Sequence, residues 1–218
     1  MIRDFTIVAQ NYDKLLWGLA NTAMLSVFAM LLSLTLGAVF ATVLMAKRKI
    51  VRTLAQYFLD AMRCIPFLLL AYVVYYGFPS LGINLDNWTA GLCALVIYNT
   101  AYMAEIIRGS WVRLPKEYTE AAASFGFHGF ELYRRIILPP VVLSAVPMVG
   151  NQVIQIIKDT AFLTIIAVTE LTHEASSIQS KYYVPFAAFV TAVALYWVLC
   201  RIVETGVMLV ERVAEERR

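Results

Sequence analysis

Seven polar side chains lie inside stretches that otherwise hold almost nothing but apolar residues. Tyr98, Asn99 and Tyr102 sit close together at helical spacing within one run. Asn151, Gln155 and Asp159 recur at i, i+4 and i+8 within another, so on a helix they share one face, with Gln152 beside them. Phenols, amides and a carboxylate in that arrangement offer hydrogen-bond donors and acceptors to a small polar solute. The same amides bond equally well from helix to helix and hold a bundle together. Both roles remain open at this point: a path for a solute, or glue between helices.

Other ionisable residues fall near the ends of apolar runs. Glu105 and Arg108 are spaced i, i+3, as are Arg201 and Glu204. Each pair is a candidate gate or proton relay, although interfacial pairs with snorkelling side chains are the expected reading. Lys158 adjoins Asp159, while Glu170, His173 and Glu174 are expected in a solvated loop. No catalytic residue is assigned. The chain has no GxxxxGK[ST] phosphate loop, no Gly-rich dinucleotide fingerprint and no recognisable Ser, Cys or His arrangement. Cys64, Cys93 and Cys200 are odd in number and fall in or beside apolar runs, which suits small apolar side chains. The two histidines, His128 and His173, are not near a cysteine, so no metal site is expected.

The elements that must position these groups are membrane spans. Apolar residues make up 61% of the chain and charged residues 15%, against about 45–50% and about 25% in a soluble domain. Charge-free windows place spans at about 18–46, 64–80, 88–107, 138–157 and 184–206. A bilayer crossing takes roughly 20 apolar residues. Backbone polar groups in lipid must be satisfied internally, so these runs are expected to be helices. The fold class is therefore an all-α membrane protein with about five transmembrane helices. The first run is too long for the core of a cleavable secretory signal, so it is expected to stay as a span. Residues 50–61 place Ile50, Val51, Leu54, Tyr57, Phe58 and Ala61 at helical spacing between Lys49 and Arg63, which predicts an interfacial helix. Residues 5–16 are expected to form a second one. Trp17, Trp88, Tyr182 and Tyr183 suit an aromatic belt.

Lysine and arginine set the orientation. Lys47, Arg48, Lys49, Arg52 and Arg63 crowd the first connection, and Arg108, Arg113, Lys116, Arg134 and Arg135 the third; Arg212, Arg217 and Arg218 mark the tail. The second connection carries none, and the fourth only Lys158 and Lys181. Positive loops stay in the cytoplasm. The N-terminus is thus expected outside and the C-terminus inside.

The third connection, 115–139, is then cytoplasmic. Pro115 is expected to end the preceding helix, 116–125 to form a short one, and Gly126 to turn the chain with positive φ. A second short helix is expected at 131–137, after which Pro139 and Pro140 bend the chain back into the membrane. Glu120, Ala121 and Ala122 precede Gly126, and Ile136, Leu138 and Pro139 follow. This order of residues resembles the EAA loop of inner-membrane permease subunits of binding-protein-dependent ABC importers. The resemblance implies one type I transmembrane domain over 1–218, with a coupling helix between spans 3 and 4. ATPase coupling would fall on Glu117, Glu120, Ala121, Ala122, Gly126, Arg134 and Arg135.

Further stretches resemble the polar amino acid branch of that family, the histidine/glutamine type. They are 11–23; Arg63, Pro66 and Tyr75 to Gly77; 101–113; and 158–171, where Ala161 and Phe162 replace the usual Ser-Leu. The resemblance covers about 11–212. It implies a non-catalytic subunit in a bacterial inner (plasma) membrane with no cofactor of its own, ATP and Mg being bound by two partner ATPases. It also implies a second permease, the same or a homologous chain, and a periplasmic or extracellular solute-binding protein. No nucleic acid is involved. A zwitterionic amino acid or related solute would then pass the seven polar groups. The competing expectation is a stand-alone secondary transporter or channel, which would show an internal repeat and a midspan acid or base. A membrane enzyme would need a catalytic cluster.

Overall fold

The structure is a computed structural model describing residues 1–46 and 48–215. Lys47, Arg217 and Arg218, used above for orientation, lie outside the described residues. Among those described, every regular element is helical. A short α1 (Ile2–Gln10) precedes α2 (Tyr12–Leu44), the long central helix. The chain follows with α3 (Lys49–Cys64), α4 (Phe67–Ser80) and α5 (Asn87–Val112). Asp86 caps α5, its carboxylate accepting from the backbone N–H of Trp88 at 3.1 Å and Thr89 at 3.2 Å.

Hydrophobicity does not drive helix association in lipid; close approach of small residues does. α2 buries Gly18, Asn21, Thr22, Ser26, Ala29, Ser33, Gly37 and Ala41 along one side. At Gly37 a β-carbon would stand 2.6 Å from Cβ of Met103. Only glycine lets α2 and α5 meet that closely.

Among the described residues, four helical runs are long and apolar enough to cross a membrane, and a fifth crossing is counted if α3 and α4 are taken as one bent unit. The expected second span, at about 64–80, is a short helix in the structure, and the stretch 50–61 expected to form a separate helix before it falls within α3. α4 has 14 residues, about 21 Å of helix, and α3 joins it at 106°. Pro66 accounts for the break. Its ring disfavours helical angles at Ile65, which sits at ψ 133°.

Pro139 and Pro140 do not bend the chain back. A helical run extends from Gly129 to Ile166, through α7 (Gly129–Leu132), a π-helical turn (Tyr133–Ile137), α8 (Leu138–Asp159) and a 3-10 segment (Thr160–Ile166). The prolines sit at the first turn of α8, where the wider π-turn absorbs their missing N–H groups.

Residues 160–183 are not a solvated loop either. The 3-10 segment packs Leu163 and Ile166 against α2, α4 and α5. α9 (Leu171–Tyr182) buries Leu171, Ala175 and Ile178 against α2 and α10 (Pro185–Glu215). Val8 of α1 joins that cluster, and Phe5 meets Phe186 edge to face.

Candidate functional site

α5 and α8 face each other, and the polar residues divide between two settings. Asn99 is fully buried. Its amide donates to the Leu95 carbonyl at 2.8 Å, and its oxygen accepts from Nε2 of Gln152 at 2.7 Å. Asn99 and Gln152 thus spend their hydrogen bonds on helix packing. Asn151 and Gln155 are exposed on the other side of α8.

Asp159 lies at the end of this face and is 3% exposed. One carboxylate oxygen accepts from Nε2 of Gln155 at 2.8 Å. The other is buried without a hydrogen-bond partner among the described residues. Such an oxygen is costly in a low-dielectric interior and strongly prefers a cationic or N–H partner. Aromatic rings pack nearby, Phe67 buried and Phe162 exposed. Phe67 lies 5.3 Å from Tyr98 and 6.3 Å from Phe162, ring centre to ring centre. The Tyr98 and Tyr102 hydroxyls are 3.2 Å apart. A carboxylate oxygen, an amide and aromatic faces together suit an ammonium group carried on a small organic solute.

The expected ion pairs form. Glu105 holds Arg108, with Nη2 donating at 3.1 Å, and also lies 3.6 Å from Arg63 of α3. Arg201 meets Glu204 at 2.6 Å. Lys158 is exposed and makes no ion pair among the described residues.

Glu170 was expected in solvent and is instead fully buried. It caps α9, accepting from the N–H of Thr172 at 2.8 Å and of His173 at 2.7 Å, and the Tyr196 hydroxyl donates to it at 2.6 Å. Asn21 of α2 donates to the Thr169 carbonyl at 2.8 Å, and Thr22 accepts from the Leu171 N–H at 3.2 Å. Burial pushes the Glu170 carboxyl up to about 7, against the pull of its donors. No local signal marks this residue: a glutamate ahead of a helix reads as exposed, and Tyr196 is 26 positions away.

In the third connection, α6 (Lys116–Ser124) ends in a Schellman motif. The Gly126 N–H donates to the Ala123 carbonyl and the Phe127 N–H to the Ala122 carbonyl, each at 3.0 Å. Gly126 carries φ +82°, a left-handed geometry that side chains resist. Glu117, Glu120 and Ala121 are exposed and Ala122 is buried. Arg135 pairs with Glu131 at 3.0 Å, and Arg134 is exposed. Two side chains here went unnamed in the sequence reading: Phe125 is 84% exposed and Phe130 77%. Phe125, Tyr118, Ala121, Phe127 and Ile136 line an open groove of about 410 Å3 beside Glu117. Exposed aromatic side chains grouped beside a groove are a feature of surfaces that meet a protein, a membrane or a ligand.

Comparisons with known proteins concern the chain as a whole. A family model described as binding-protein-dependent transport system inner membrane component matches residues 33–213. The probable glutamine ABC transporter permease protein GlnM of Bacillus subtilis (strain 168) is 31% identical, covering 97% of this chain and 98% of its own. The nopaline transport system permease protein NocM of Agrobacterium fabrum is 30% identical, covering 95% and 90%. The crystal structure of an amino acid ABC transporter with histidines superposes with a TM-score of 0.90 at 29% identity, covering 95% of this chain and 97% of that one. An inward-facing MetNI methionine ABC transporter, at 14% identity and a TM-score of 0.80 over 92% and 96% of the two chains, shares the fold.

Proposed function

The chain belongs to the family of binding-protein-dependent transport system inner membrane components, a membrane permease for ABC import, and from that premise we propose that its solute is a polar amino acid or a relative of one. The similar proteins named as glutamine, nopaline and amino acid transporters support that class. Transport runs by alternating access across a bacterial inner membrane. The N-terminus lies outside and the 115–139 loop in the cytoplasm, in keeping with the lysine and arginine distribution.

The chain itself does no catalysis in this reading. Two ATPase subunits bind ATP and Mg and dock on α6 and the turn after it. A second permease, the same or a homologous chain, completes the path, and a solute-binding protein delivers the cargo from outside. The observation that carries the docking role is the exposed Phe125 groove on a helix whose end is fixed by Gly126. Glu117, Glu120, Arg134 and Arg135 supply charged contacts around it. Asp159, with Gln155 and Tyr98, receives the ammonium end of the solute.

The test separates docking from membrane insertion. Gly126→Asp and Glu120→Lys are expected to abolish uptake, and to reduce ATPase co-purification with a tagged chain, while membrane levels stay unchanged. Uptake that survives both substitutions removes the docking role from this segment.

A further inference from the structure

The connection between α2 and α3 borders a cavity apart from both the polar face of α8 and the 115–139 loop. An open cavity of about 590 Å3 lies between the end of α2, the first half of α3 and the end of α5. Arg52, Gln56 and Tyr57 of α3 and Arg108 of α5 line it, with Leu44 and Val112 as its apolar floor. Arg108 gives Nε and Nη2 to Glu105, which leaves its Nη1 side open. Arg52 is exposed and makes no side-chain hydrogen bond or ion pair among the described residues. Asp60 is the only acid between positions 45 and 85, and it accepts from Nε2 of Gln56 at 3.0 Å.

The setting names the kind of anion. α3 stands at 106° to α4, so it lies along the bilayer surface when α4 enters the bilayer. Ile50, Leu54 and Tyr57 are exposed along it, at 76%, 65% and 71%. A soluble anion would use the guanidinium groups and leave these apolar residues without a partner. An anionic phospholipid uses both, its phosphate on the arginines and its acyl chains over the apolar residues. Basic pockets between spanning helices are favoured sites for such headgroups.

We propose that the cavity between α2, α3 and α5 is a headgroup site for an anionic phospholipid, held by Arg52 and the open side of Arg108.

The experiment is native mass spectrometry of the full chain, extracted gently with whatever partners it holds. Phosphatidylglycerol and phosphatidylcholine of the same acyl chains are supplied in parallel. Phosphatidylglycerol is expected to be retained over phosphatidylcholine. Arg52→Gln is expected to lower that retention roughly fivefold, the loss of about one cationic contact at a membrane surface. Arg52→Lys keeps most of it, and Arg3→Gln, in α1, leaves it unchanged. Equal retention of the two lipids overturns the proposal, as does an Arg52→Gln chain that behaves like the unaltered one or an Arg3→Gln chain that loses as much. If excess inorganic phosphate strips the phosphatidylglycerol, the site takes a soluble anion and the lipid assignment falls. None of these outcomes depends on transport, so the importer reading stands or falls separately.

Discussion

Asp159 and Glu170 are both buried carboxylates, and they are satisfied differently. Asp159 keeps one oxygen without a donor. Asp159→Asn is expected to cut solute uptake by roughly 10- to 100-fold, the worth of a charge-assisted hydrogen bond. Co-purification of partners should not change. Uptake at the unaltered level removes Asp159 from the path.

Glu170 is surrounded by donors and by the Tyr196 hydroxyl. Its carboxyl titrates at about 7 in the fold against 4.5 ordinarily. The folded chain therefore holds a proton that the unfolded chain has lost. This contribution to stability is full below about 4.5 and disappears as pH rises through about 7. The thermal midpoint in detergent should fall between about pH 5 and about pH 8, and Glu170→Gln should flatten that slope. Above about pH 7, where Glu170 is ionised, Tyr196→Phe should cost about 1.5–3 kcal/mol by leaving the carboxylate short of a donor. Tyr98, Asn99, Tyr102, Gln152 and Asp159 were visible in the sequence because polar residues stand out in apolar runs. Glu170 was not, because what distinguishes it is a partner on a distant helix.

At the scale of elements, the long helices were legible because lipid enforces long charge-free windows. The place of a break inside such a window was not, although the amphipathic spacing of 50–61 already set α3 apart from the span after it. Nothing charged separates Arg63 from Asp86, so the turn at Pro66 left no mark in the charge pattern. Pro66→Ala should let α3 and α4 join. Spin labels at positions 50 and 80 should then show a second population near 45 Å, against roughly 26 Å across the 106° bend. A single short distance would show that packing, not proline, sets the angle. Ion pairing helps to fix α3 in place, since Arg63 lies 3.7 Å from Asp60 and 3.6 Å from Glu105 of α5. The Pro139 and Pro140 step misled in the opposite direction. Two prolines suggest a corner, yet the wider π-turn just before them lets the helical run continue without their N–H groups.

At the scale of the molecule, α4 and α10 leave much apolar surface uncovered, including Val73, Tyr76, Val193, Trp197 and Ile202. Lipid and a second permease are the coverings that the proposed assembly would supply. The run from Gly129 to Ile166 spans 38 residues, about 57 Å. Phe130 stands near one end of it and Asp159 near the other. In mechanical terms it is a shaft unbroken by any loop, with the π-turn near the end that would receive a stroke and Pro147 along its length as its two softest points. Its compliance then sets how much of each stroke arrives. Val142→Gly combined with Ser144→Gly alters exposed positions and softens the shaft at about 1 kcal/mol per glycine. The assembled complex should go on hydrolysing ATP while uptake drops, an engine left running with its drive slipping.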